Sequence, residues 1–212
     1  MKSLLLAGLA LAALSQSAWA AAPKLDGIAD RILSADWTNS ASIDDDLFTA
    51  ISFKAAEGEA FTLEASKLAD VLAALGGKVQ TTTAYGPAVS WLCYDAAGKR
   101  TWFVSAEHDD AKQPLLTLIA EENTAKSTPD AGCEKAADAL VPVPGDKLPG
   151  LGTKLADLQK RFGGADPDDK GRVSFTASAP VGNTDTVQSK NVYYLVSKGE
   201  VTAVAFSAVS EQ

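Results

Sequence analysis

Hydrophobic and polar positions along this chain follow two rhythms, and one phrase is written twice. Ser66-Lys67-Leu68-Ala69-Asp70-Val71-Leu72-Ala73-Ala74-Leu75-Gly76-Gly77 returns 87 positions later as Thr153-Lys154-Leu155-Ala156-Asp157-Leu158-Gln159-Lys160-Arg161-Phe162-Gly163-Gly164. Each copy reads as a short helix, opened by a hydroxyl residue and stopped by a pair of glycines. Three apolar-rich runs of strand character follow each copy. After the first they are residues 89–94, 100–107 and 115–121; after the second, 172–177, 191–196 and 201–209. Residues 95–99 and 197–200 read as hairpin connections. Residues 122–132 and 179–190 read as polar loops, with Gly182 and Asn183 in the latter.

The pattern predicts an α+β fold: two tandem repeats, each a short helix packed on a small antiparallel sheet, with an N-terminal helical extension. The two sheets differ in patterning. In the second, Val173, Phe175 and Ala177 alternate with Ser174 and Thr176, so one face is apolar. In the first, Val89, Trp91 and Cys93 alternate with Ser90, Leu92 and Tyr94, so both faces need cover. The N-terminal segment, the other repeat or a partner could supply it. Within the extension, residues 26–37 fit an amphipathic helix with Ile28, Ile32 and Leu33 on one side, and 38–46 read as a turn. Residues 47–54 fit a helix or a strand, and 61–63 a short extended piece. The proline-rich stretch 141–150 suits a connector. The expected organisation is a signal peptide at 1–20, an extension at 21–60, repeat units at 61–140 and 151–212, and the linker between them.

The leader fixes the compartment. Lys2 precedes an apolar run from Leu4 to Leu14, and Ala18-Trp19-Ala20 has the small-x-small pattern that signal peptidase accepts. The run is too short to span a bilayer, which needs roughly 20 residues. Cleavage near Ala20 gives a periplasmic or secreted protein with no membrane span in the mature form. Cleavage removes Lys2 alone among charged residues, so the formal charge moves from −8 to −9. That acidity argues against nucleic acid as a partner. Two cysteines in an exported chain predict one disulfide, Cys93 to Cys133, closing the first unit on itself.

No catalytic motif, metal set or cofactor fingerprint emerges, and the chain is read as a non-enzyme. His108, the single histidine, stands at a strand end with no nucleophile signature elsewhere. Asp166-Pro167-Asp168-Asp169-Lys170-Gly171 begins like a calcium loop, but Lys170 and Ala177 occupy the fifth and twelfth positions. A turn is the simpler reading, as it is for Asp44-Asp45-Asp46. Gly150-Leu151-Gly152-Thr153-Lys154 lacks the spacing of a phosphate loop and reads as a helix start capped by Thr153. Tyr85, Trp91, Tyr94 and Trp102 are the candidate binding residues, because Trp and Tyr dominate binding energy at interfaces and are also ordinary core residues. Tyr85 and Tyr94 are expected at the surface.

The segment Leu151-Gly152-Thr153-Lys154-Leu155-Ala156-Asp157-Leu158-Gln159-Lys160-Arg161-Phe162-Gly163 leading into strands resembles the beta-lactamase inhibitor protein family. It is also similar to the outer-membrane assembly lipoproteins of the SmpA/OmlA type, although no lipid-bearing cysteine stands near the cleavage site. The resemblance covers residues 61–212. It implies a module that presents a sheet and its loops to another protein, as an inhibitor or immunity-type protein occluding an envelope enzyme or toxin. The alternatives are an accessory factor of envelope assembly, and a small-ligand receptor or hydrolase with a hidden site.

Overall fold

The structure, a computed structural model, describes residues 23–34, 37, 40–44, 52–54, 60–96, 98–106, 115–124, 132–135 and 148–211. The leader, His108, Asp45, Asp46 and most of the proline-rich stretch lie outside them.

The twice-written phrase forms two helices, α2 (Leu68–Leu75) and α3 (Leu155–Phe162). Both stop at their glycine pairs, and all four glycines have positive φ. Gly76 N–H donates to Leu72 O at 2.8 Å and Gly163 N–H to Gln159 O at 2.9 Å. The expected hydroxyl caps do not form at either helix. Ser66 Oγ instead accepts from Thr62 N–H at 2.9 Å, and Asp70 reaches back to accept from Lys67 N–H at 2.7 Å. That carboxylate, in the first turn where the helix dipole favours it, supplies the reciprocal half of a capping box by satisfying the Lys67 N–H.

Behind the helices lies one nine-stranded mixed sheet among the described residues. Its strands are β1 (Ser40–Ser42), β4 (Gln80–Thr82), β5 (Val89–Ala96), β6 (Lys99–Ala106), β7 (Leu118–Asn123), β8 (Glu134–Lys135), β9 (Arg172–Pro180), β10 (Val187–Ser197) and β11 (Glu200–Glu211). A separate hairpin pairs β2 (Ser52–Lys54) with β3 (Ala60–Thr62). The main order is β1-β9-β10-β11-β7-β6-β5-β4, with β8 also on β5. The two predicted three-strand groups are therefore not two small sheets. Residues Ala203 to Ser207 of β11 pair antiparallel with Leu118 to Glu122 of β7, which joins them edge to edge. Each third strand would otherwise hold a row of backbone donors and acceptors without partners beside a buried apolar face, a costly arrangement.

Helices α2 and α3 cover one sheet face. Val71 and Leu158 are fully buried in a cluster with Leu92, Tyr94, Phe103, Phe175, Tyr194 and Phe206. The second face of β5 to β7 is covered by the N-terminal segment. Helix α1 (Gly27–Ser34), shorter than expected, sets Leu25, Ile28 and Ala29 against Trp91, Trp102, Val104 and Leu118. From α1 the chain reaches β1, which pairs parallel with β9 at the far edge of the sheet.

Two stretches expected to be irregular are strands. Residues 40–42 pair with β9, and 178–180 and 187–190 extend the β9–β10 hairpin, leaving only 181–186 as its loop. Their polarity reflects an open sheet face, where Ser178 and Ser189 hydroxyls meet across the strands at 3.2 Å.

Candidate functional site

The four candidate aromatics do not form one patch. Trp91, Tyr94 and Trp102 are each 1 % exposed. Neighbouring residues on a strand face opposite ways, so Trp91 and Trp102 lie under α1 while Tyr94 points to α2. The Tyr94 hydroxyl donates to Gly76 O at 2.7 Å, and burial, then the Glu134 carboxylate, push its pKa up to about 12. Tyr85 is half-buried, its hydroxyl donating to Asp30 of α1. The surface position expected for Tyr94 is thus corrected, since both faces of β5 are covered.

Around α1 the contacts are charged. Arg100 is 4 % exposed and grips Asp95 with two bonds, Nε to Oδ1 at 2.7 Å and Nη2 to Oδ2 at 3.0 Å. Its Nη1 reaches Asp26 Oδ2 at 2.7 Å, and the guanidinium carbon stands 5.9 Å from the Trp102 ring centroid. Glu122 Oε2 accepts from Ile28 N–H at 2.9 Å, at the first turn of α1. Burial raises the pKa of both Asp26 and Glu122, outweighing Arg100 for the former and the Ile28 bond for the latter. Gly27 makes this approach possible, because a β-carbon there would lie 2.5 Å from Glu122 Oε2 and 2.7 Å from Trp102.

Beyond α1, the same face of β9, β10 and β11 has a different character. No helix of the described residues lies on its outer part, where Thr176, Ser189 and Asn191 are partly exposed and Ser178 is open to solvent. Asn191 Nδ2 donates to Ser207 Oγ at 3.3 Å. At one end Trp37 packs edge-on against Tyr193, ring centroids 5.1 Å apart, and Arg172 stands 5.6 Å from the Trp37 ring centroid. Arg172 is held by Asp168, Nε to Oδ2 at 2.6 Å. On the part of this face that α1 leaves uncovered, residues 176, 178, 180, 187, 189, 191 and 209 carry no ionisable side chain, while Arg172 and Tyr193 stand at one end and Glu211 pairs with Val187 at the other. In a chain of net charge −8 that is a depleted area. The alternation of β9 carried a sign of this face, but nothing local in the sequence placed Trp37 upon it.

A half-open groove of about 550 Å³ runs beside β4, lined by Pro23, residues 78–81 and residues 132–134. The predicted disulfide joins Cys93 to Cys133 at its base and ties β8 to β5. The acidic loop at 166–171 is a turn: Asp168 accepts from the Lys170 and Arg172 backbone N–H groups at 2.9 and 2.8 Å. Among the described residues no group of three or more His, Cys, Asp or Glu is arranged to hold a metal. Thr153 serves at the helix start through its backbone, its carbonyl accepting from Val201 N–H at 2.9 Å. Comparison with protein families, curated proteins and solved structures found no match for this chain.

Proposed function

We propose that this protein is an exported protein-binding module, built from two copies of one helix-plus-three-strand unit, that occludes a partner sterically with the outer face of β9, β10 and β11. The observation that carries the reading is the depletion of charge on that face. Interface cores are depleted in charged residues and enriched in Trp, Tyr and Arg, and here Trp37, Tyr193 and Arg172 border an area of hydroxyls and amide. A partner of the kind the resemblance implies is an envelope enzyme or a toxin. The Cys93–Cys133 bond supports an oxidising, periplasmic setting. Matched bonds support the duplication. Leu116 N–H donates to Ser66 O and Val201 N–H to Thr153 O, each at 2.9 Å, and the bridges Lys67–Leu115 and Lys154–Glu200 stand at corresponding places.

The test is affinity capture from an envelope extract by the mature, oxidised protein, compared with Asn191→Arg and Ser189→Arg. Each variant puts a long cation in the middle of the face. Lys160→Glu, on the exposed side of α3, is the control. The expected result is a stoichiometric partner kept by the control and lost by both face variants, with unchanged circular dichroism. Equal capture by all four proteins would move the site elsewhere.

A further inference from the structure

We propose that the N-terminal segment from Leu25 to Leu33 is a strap over the aromatic face of β5 to β7, and that its closure tightens in acid and loosens as pH rises. This inference is independent of the binding role of β9 to β11. Among the described residues the strap makes no backbone-to-backbone hydrogen bond with the sheet. It is held by Leu25, Ile28 and Ala29, by the Glu122 bond to Ile28 N–H, and by Asp26 and Asp30. What it covers is a continuous apolar face with Trp91 and Trp102 at its centre, both of which would meet water if it lifted.

Acids outnumber bases at this contact. The strap brings Lys24, Asp26, Asp30 and Arg31; β5 brings Asp95, β6 Arg100 and β7 Glu122, while the loop before β5 contributes the Tyr85 phenol. From β10 and β11, Leu195, Ala203 and Ala205 join the cluster and the Tyr193 phenol packs against it, its pKa raised by burial. Arg100 is already saturated on one side by Asp95, so Asp26 receives a single Nη together with a hydrogen bond from the Trp102 side chain. Glu122 has a backbone donor and no ion pair within 4 Å among the described residues. Closing the strap therefore buries Glu122 and part of Asp26, whose side chain stays 41 % exposed, with incomplete compensation. In the closed state Asp26 and Glu122 hold protons more firmly than ordinary carboxylates, so closure takes up protons. The sign follows: closure is fully favoured below the ordinary carboxylate range and weakens as pH rises through the raised values.

The experiment is hydrogen–deuterium exchange of the mature, oxidised full chain from about pH 3.5, below the ordinary carboxylate range, to about pH 8, each amide's rate divided by its intrinsic rate. Protection of Ile28 to Leu33 is expected to fall with rising pH, at most tenfold per pH unit for each linked proton, while the β10 and β11 amides hold steady. Glu122→Gln keeps an acceptor for Ile28 N–H and is expected to flatten the profile; Asp26→Asn reduces it in the same direction. A flat profile in the unaltered protein overturns the proposal without recourse to any variant. So does an undiminished slope when both substitutions are combined.

Discussion

At Gly171 a β-carbon would lie 2.2 Å from the Val196 carbonyl oxygen, and φ is +75°. Gly171 N–H donates to Asp168 O at 2.9 Å and its own carbonyl accepts from Val196 N–H at 2.8 Å, so neither backbone can easily yield. Gly171→Ala is therefore expected to lower unfolding free energy by roughly 2 to 4 kcal/mol, from left-handed strain plus the clash. Gly150, with open space at its β-carbon, is the contrast: Gly150→Ala should stay within about 0.5 kcal/mol. Urea unfolding of both variants checks the pair, and a loss below about 1 kcal/mol at Gly171 would mean the loop relaxes. Residue identity was legible in the sequence, whereas address often was not. The parity of Trp91, Tyr94 and Trp102 along their strands gave opposite faces. The strand pattern also showed that both faces need cover, but not which of the N-terminal segment, the other repeat or a partner supplies it; the cover is helix α1, far upstream in the chain.

At the scale of elements, β8 shows how little holds a short strand. It has two residues, both exposed, and its ties are the register with Tyr94 and Asp95, the disulfide beside it, and the Gln80 Nε2 bond to Gly132 O at 2.7 Å. Replacing both cysteines by serine is expected to cost roughly 4 kcal/mol for a loop of this span, on the chain-entropy account. The loss should be local first. Exchange protection of 132–135 and of β4 should fall before that of β10 and β11, and a uniform loss would contradict a local tether. The two helices with glycine stops and the six longer strands were legible from periodicity. The outer ends of β9 and β10 were not, because serines on a solvated sheet face look the same in sequence as serines in a loop.

Across the whole molecule, carboxylates set the dependence of stability on pH. Burial raises the pKa of Asp26, Glu121 and Glu122, with Lys99 opposing it at Glu121. Stability from these groups is present below the ordinary carboxylate range and is lost as pH rises through their raised values. Asp168 runs the other way. Burial alone would raise it, but bonds from Arg172 and from the Lys170 N–H outweigh that and hold it low. Its contribution is present above the ordinary range and is lost as pH falls through the lowered value. The urea midpoint is thus expected to rise as pH falls through the raised values of Asp26, Glu121 and Glu122, then drop in stronger acid as Asp168 takes up its proton. Glu121→Gln should flatten the first limb without disturbing α1, because Glu121 pairs with Lys99 on the sheet face away from it.

The pairing of β7 with β11 also bears on the order in which the chain can become safe from its neighbours. Ala203 meets Glu122 across the seam, so the outer edge of β7 stays bare until the last strand has been made and delivered. A contact of such sequence separation forms slowly, and a bare edge beside apolar side chains invites pairing with another molecule. For a chain made from its N-terminus, the first half must wait. A chain stopped before β11 should accordingly self-associate through β7, and adding a peptide of residues 200–211 in trans should suppress that association.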